Sequence, residues 1–124
     1  MTQAILLVML GGAFGSAARY LATHISSDLS KHHGFPFGTL LVNVVGSMAV
    51  GYVLTWSAEH AHDRWRLLAA TGFCGVFTTF STFSFETMAY WHTGRLDLMA
   101  LNILSNNTLS LVSVLLGIKL HNSN

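Results

Sequence analysis

Four runs of apolar residues, at about 4–23, 38–56, 67–91 and 97–120, occupy most of this 124-residue chain. A bilayer core of roughly 30 Å is crossed by about 20 such residues in helical form, and within it each backbone polar group must be satisfied by the segment itself or by protein around it. Four spans leave too little chain for a soluble catalytic domain. The expected fold class is therefore all-α and integral to the membrane, one four-helix domain over residues 1–124. Only 9% of the residues are charged and mean hydropathy is +0.52, well outside the usual soluble balance. The first run opens MTQAILLVML, without a cationic leader, and continues to Ala22; it reads as an uncleaved span.

Charges, polar residues and the single proline concentrate in three short links, HISSDLSKHHGFP, SAEHAHDRW and HTGRLD. Links this short predict that consecutive helices neighbour one another. Trp56, Trp65, Tyr90 and Trp91 fall at the proposed span ends, where amphipathic rings favour the headgroup region. The six basic residues divide evenly: Arg64, Arg66 and Lys119 on the side of the termini, Arg19, Lys31 and Arg95 on the other. A tie gives no positive-inside bias. It is compatible with insertion in both orientations and a two-fold antiparallel dimer, or with one orientation winning because a residue such as Arg19 counts weakly. Scattered basic residues argue against a nucleic-acid partner, and the lone Cys74 excludes an intrachain disulfide.

Small residues recur at four-residue spacing: Gly11 with Gly15, Gly12 with Ser16 and Ala13 with Ala17 in the first span, Ser47 with Gly51 after Gly46 in the second. Such faces let helix backbones approach closely in lipid, so helix packing is the expected role of Gly11, Gly12, Gly15 and Gly46.

Polar groups inside the spans need another account, because an amide or hydroxyl facing hydrocarbon without a partner costs free energy. Asn43 lies mid-way along the second span. In the third, TGFCGVFTTFSTFSFET carries seven hydroxyl side chains, with Thr78, Thr79, Ser81, Thr82 and Ser84 clustered. Asn106, Ser110 and Ser113 follow i, i+4, i+7 spacing in the fourth, one helical face. Gly72, Gly75 and the β-branched pair Thr78 and Thr79 disfavour an unbroken third helix, and a mid-membrane break is expected. Irregular backbone at that depth belongs inside protein or beside a watery cavity, with freed carbonyls able to bind a cation. Phe77, Phe80 and Phe83 are then expected along one side after the break, although for an arbitrary membrane helix a three-residue aromatic spacing more often means plain packing.

Gly12, Gly15, Arg19 and Tyr20 as GxxGxxxRY, GTLLVNVVGS around Asn43, and GFCGVFTTFSTFSFE together resemble the Fluc family of bacterial fluoride channels, also called CrcB-type. The likeness covers nearly the whole chain. It implies a passive fluoride channel of the bacterial cytoplasmic (inner) membrane that exports fluoride, built as a dual-topology homodimer with two antiparallel pores in the lipid bilayer. By position, Asn43, Phe80 and Phe83 correspond to pore-lining residues, with Ser81, Thr82 and Ser84 among the hydroxyls beside them and Ser110 and Ser113 as a polar track. The backbone carbonyls of Gly75 and Thr78 match those holding a structural sodium ion at the centre of the dimer interface. Arg19 and Glu86 are expected at the pore mouth.

Fluoride is small and tightly hydrated, so a pore must replace its lost water with donors. Hydroxyls and amides do this, and a phenylalanine edge adds weaker attraction without a fixed cation that would trap the ion. A small multidrug exporter would need a membrane-embedded acid in the first span, which has none. A scaffold protein would account for the small-residue faces but not for hydroxyl stripes on two helices. The seven histidines fall near span ends or in links with no metal-binding spacing, which argues against an enzyme.

Overall fold

The computed structural model describes residues 1–123, and among them every regular element is helical. Helix α1 runs Thr2–Ile25, α2 Ser27–His33, α3 Phe37–His60 and α4 Asp63–Trp65. A π-helical stretch, Arg66–Cys74, leads into α5, Gly75–Phe77. After a break come α6, Phe80–His92, and α7, Leu96–Asn122. Four stretches are long and apolar enough to cross a membrane, Thr2–Ile25, Phe37–His60, Asp63–His92 and Leu96–Asn122. The chain is a multi-pass membrane protein.

Short links do not make sequential helices the closest partners. The tightest packing joins α1 to the π-helical stretch and α3 to α7, with consecutive spans touching less. Glycine decides this. A methyl group added at Gly11 would run into the Leu68 carbonyl oxygen, and one at Gly15 into that of Phe73, so backbone lies on backbone there. Gly12 is looser, its added methyl meeting Val76 Cγ2 at 3.4 Å and the Gly72 carbonyl oxygen at 4.0 Å. The small-residue face of α1 thus seats the third span, whose turns widen so that Gly75 N–H bonds the Ala70 carbonyl five residues back, the signature of a π-helix.

The first link holds an unexpected helix, α2, which ends at Gly34 in the left-handed region (φ 65°). The loop is anchored by the Tyr90 hydroxyl, which donates to the Gly34 carbonyl at 2.7 Å. At the opposite end, His121 Nε2 lies 2.7 Å from Glu59 Oε2 and ties the end of α7 to α3.

Candidate functional site: a broken helix between two cavities

The third span breaks at Thr78 and Thr79, both extended (ψ 158° and 116°). Sequence reasoning placed the break here, and the reason is visible in the hydrogen bonds. In an unbroken α-helix Thr79 N–H would reach the Gly75 carbonyl; it donates instead to Asn43 Oδ1 at 2.8 Å. Asn43 Nδ2 donates to the Thr79 carbonyl at 3.2 Å. One side-chain amide on α3 therefore pairs with both backbone groups of Thr79. Thr79 Oγ1 then caps α6 by accepting from Thr82 N–H at 3.2 Å. Gly46 makes the space, since a methyl group there would collide with Thr78 Cγ2.

The break frees two kinds of group. Gly75 is exposed, its carbonyl released from Thr79; the Thr78 carbonyl accepts one long contact from an Arg19 guanidinium nitrogen, 3.4 Å. These are carbonyls at the negative end of one half-helix. The α6 start supplies the positive end of the next.

An inner cavity of about 330 Å³ lies against the break, lined by Asn43, Ser47, Val50, Thr78, Thr79, Phe80, Phe83, Asn106, Asn107, Ser110, Leu111 and Val114. Asn43, Phe80, Phe83 and Ser110 are thus brought together. No lining residue is charged. The Phe80 and Phe83 rings stand 5.6 Å apart, tilted by 47°. Phe80 is 78% exposed within the chain, whereas Phe83 is buried. The third phenylalanine departs from expectation: Phe77 precedes the break, is buried and stacks on Phe73 at 5.5 Å, because the extended residues turn α6 away from it. It belongs to the core.

Asn43 does line the cavity, but both its amide hydrogens are engaged, one with Thr79 and one with Asn106 Oδ1 at 2.9 Å. Its position serves the break before it serves an ion. The hydroxyls of Ser47 and Ser110 have no hydrogen-bond partner among the described residues and stand as available donors in the lining. The Ser47–Gly51 spacing predicts a packing role for Ser47, and nothing in a Ser-x-x-x-Gly pair separates packing from lining a cavity. Ser113 is buried away from this cavity. Ser81 is 3.3 Å from the Thr79 hydroxyl, and Ser84 bonds back to the Phe80 carbonyl at 2.9 Å; neither lines it.

An outer cavity of about 660 Å³ lies on the other side of Thr79, which lines both. It holds the two expected mouth residues, Arg19 and Glu86, together with Thr82, Lys31, Thr39 and Tyr90. Glu86 Oε1 accepts from the Thr39 hydroxyl at 2.7 Å, and its Oε2 is enclosed without a partner among the described residues. Arg19 and Lys31 stand at this face together with the carboxyl of Glu86, two basic side chains to one acidic.

The sequence profile described as "CrcB-like protein, Camphor Resistance (CrcB)" matches residues 6–118. The chain belongs to this family. Relatives named "Fluoride-specific ion channel FluC" occur in Koribacter versatilis, 43% identical over 112 residues (89% of this chain and 88% of the relative), and in Pyrococcus abyssi, 40% identical over 114 residues (90% of each). The Vibrio vulnificus relative of the same name is 40% identical over 115 residues, 91% of this chain and 90% of its own. These relatives match about nine-tenths of this chain, and their name is that of an ion channel, not of an enzyme.

Proposed function

We propose that this chain forms a passive fluoride channel of the bacterial inner membrane, working as an antiparallel homodimer with two pores. The single observation that carries the reading is the uncharged inner cavity at a mid-span helix break, lined by both aromatic rings and unpaired hydroxyls. The relatives' name supplies the ion.

An anion gathered at Arg19 and Lys31 in the outer cavity, beside Glu86, passes Thr79 and Thr82 and exchanges water for the Thr82 hydroxyl, which accepts from the Thr79 hydroxyl at 3.0 Å and keeps its own proton to donate. In the inner cavity it meets Ser47, Ser110 and the edges of Phe80 and Phe83, whose hydrogens carry partial positive charge. No fixed cation lines this part, so nothing holds the ion for long. A cell interior at negative voltage drives fluoride outward. Phe80, largely exposed in one chain, is suited to face a pore completed by a second copy. The evenly split basic residues are compatible with insertion both ways.

A structural sodium ion fits the break. Hard cations take oxygen ligands; the Gly75 carbonyl is among those the break releases, and the Thr78 carbonyl carries the one long contact from Arg19. Paired with those of an antiparallel partner they would hold the ion, which when bound supplies positive charge at the junction of the chains. Fluoride release from proteoliposomes, followed with a fluoride electrode, tests the proposal. Rapid release is expected; vesicles that retain their fluoride would overturn it.

A further inference from the structure

We infer that Asn102 and Thr87, which line neither cavity, are positioning residues for the phenylalanine pair, an inference that rests on the channel reading above. Asn43 Nδ2 donates to Asn106 Oδ1 at 2.9 Å; Asn106 Nδ2 donates to Asn102 Oδ1 at 2.9 Å; Asn102 Nδ2 donates to Thr87 Oγ1 at 3.0 Å; and the Thr87 hydroxyl donates to the Phe83 carbonyl at 2.7 Å. Asn102 is 0% exposed, Asn106 5% and Thr87 8%.

The relay begins and ends on the same helix. Asn43 grips Thr79, the cap of α6, and Thr87 grips Phe83 one turn further on. Between these points the path crosses from α3 to α7 and from α7 to α6, so α6 is clasped over the two turns that carry Phe80 and Phe83. Its direction is fixed. Asn43 must turn its oxygen to Thr79 N–H, which leaves an N–H for Asn106, and each later amide is forced in turn to accept on one side and donate on the other. A single reversed member sets two donors or two acceptors face to face, and a missing one leaves its neighbours short of a partner, in a buried place where an unmet polar group costs most. Buried Asn102 has no packing advantage over leucine in a membrane core; completing the circuit is what it adds. No member is ionisable, so the clasp leaves no charge beside the path of an anion.

Thr87→Val removes the hydroxyl and keeps the shape, and Thr87→Ser restores it; Asn102→Leu interrupts the relay one step earlier. Liposome flux of fluoride and of chloride is measured per folded protein, with size-exclusion elution and melting temperature alongside. Thr87→Val and Asn102→Leu are expected to elute like the parent and to lose about tenfold in fluoride flux, the effect of one misaligned donor on a barrier. Their preference for fluoride over chloride should narrow, while Thr87→Ser stays close to the parent. A parent chain that conducts no fluoride refutes the channel reading itself. If the parent conducts and both variants match its flux and selectivity per folded protein, or if both simply fail to fold, the relay belongs to folding alone and the positioning role is overturned.

Discussion

Phe80 and Phe83 differ in what they contribute, although the sequence presents them as equals. Phe80 is largely exposed within the chain, so Phe80→Ile should leave melting temperature nearly unchanged and cut fluoride flux sharply by removing the ring edge. Phe83 is buried, and Phe83→Ile should cost about 1 kcal/mol or more of stability as well as flux. Thermal melts beside electrode traces check both, and near-parent flux in the pair would exclude the aromatic edges from conduction. Asn43→Asp should be worse than either. A carboxylate keeps the acceptor for Thr79 N–H but offers no donor to the Thr79 carbonyl or to Asn106, so about 1–3 kcal/mol of stability should go with the flux. Asn43 was legible in the sequence because a lone amide in an apolar run demands a partner. Which partner it takes was not, since Thr79 lies 36 residues away in the chain and only the fold brings them together. Asn102 and Thr87 escaped for the same reason: each is one polar residue among several, and only the direction of their hydrogen bonds singles them out.

At the level of the helix, the break was readable and the widened turns before it were not. Two glycines and two β-branched threonines weaken a helix locally, which a single segment displays. The π-helical stretch lies backbone to backbone against α1 at Gly11 and Gly15, a contact that no property of residues 66–74 alone announces. Gly15→Val should therefore act on the third span, forcing it off α1 and lowering the melting temperature by several degrees; unchanged stability would contradict the backbone contact. Gly75 presents a different case. Its φ of −61° suits proline, but Gly75→Pro deletes the N–H that bonds Ala70. Thr78→Ser should keep the break and any stabilisation by sodium, whereas Gly75→Pro should weaken that stabilisation, read as the shift in melting temperature when sodium replaces a bulky organic cation. Equal shifts in parent and Gly75→Pro would count against a carbonyl-held ion.

For the whole molecule, four spans and their boundaries could be read closely from apolar runs and terminal aromatics, yet the pairing of first with third and second with fourth could not, because short links permit several bundles and glycine contacts select one. Orientation remains a matter of charge. Two lysines added to the link around His60 should bias insertion and abolish efflux when that variant is expressed alone, with recovery on co-expression with an oppositely biased variant; full efflux from the biased variant alone would refute the antiparallel dimer. The inner cavity carries one further implication. Moving one elementary charge through 100 mV involves about 2.3 kcal/mol, and that is how a membrane field works a gate; a lining of amides, hydroxyls and rings gives the field no lever. Current across a planar bilayer should rise in proportion to the driving force, with no threshold and no lag after a voltage step, as through a fixed resistor that is always in circuit.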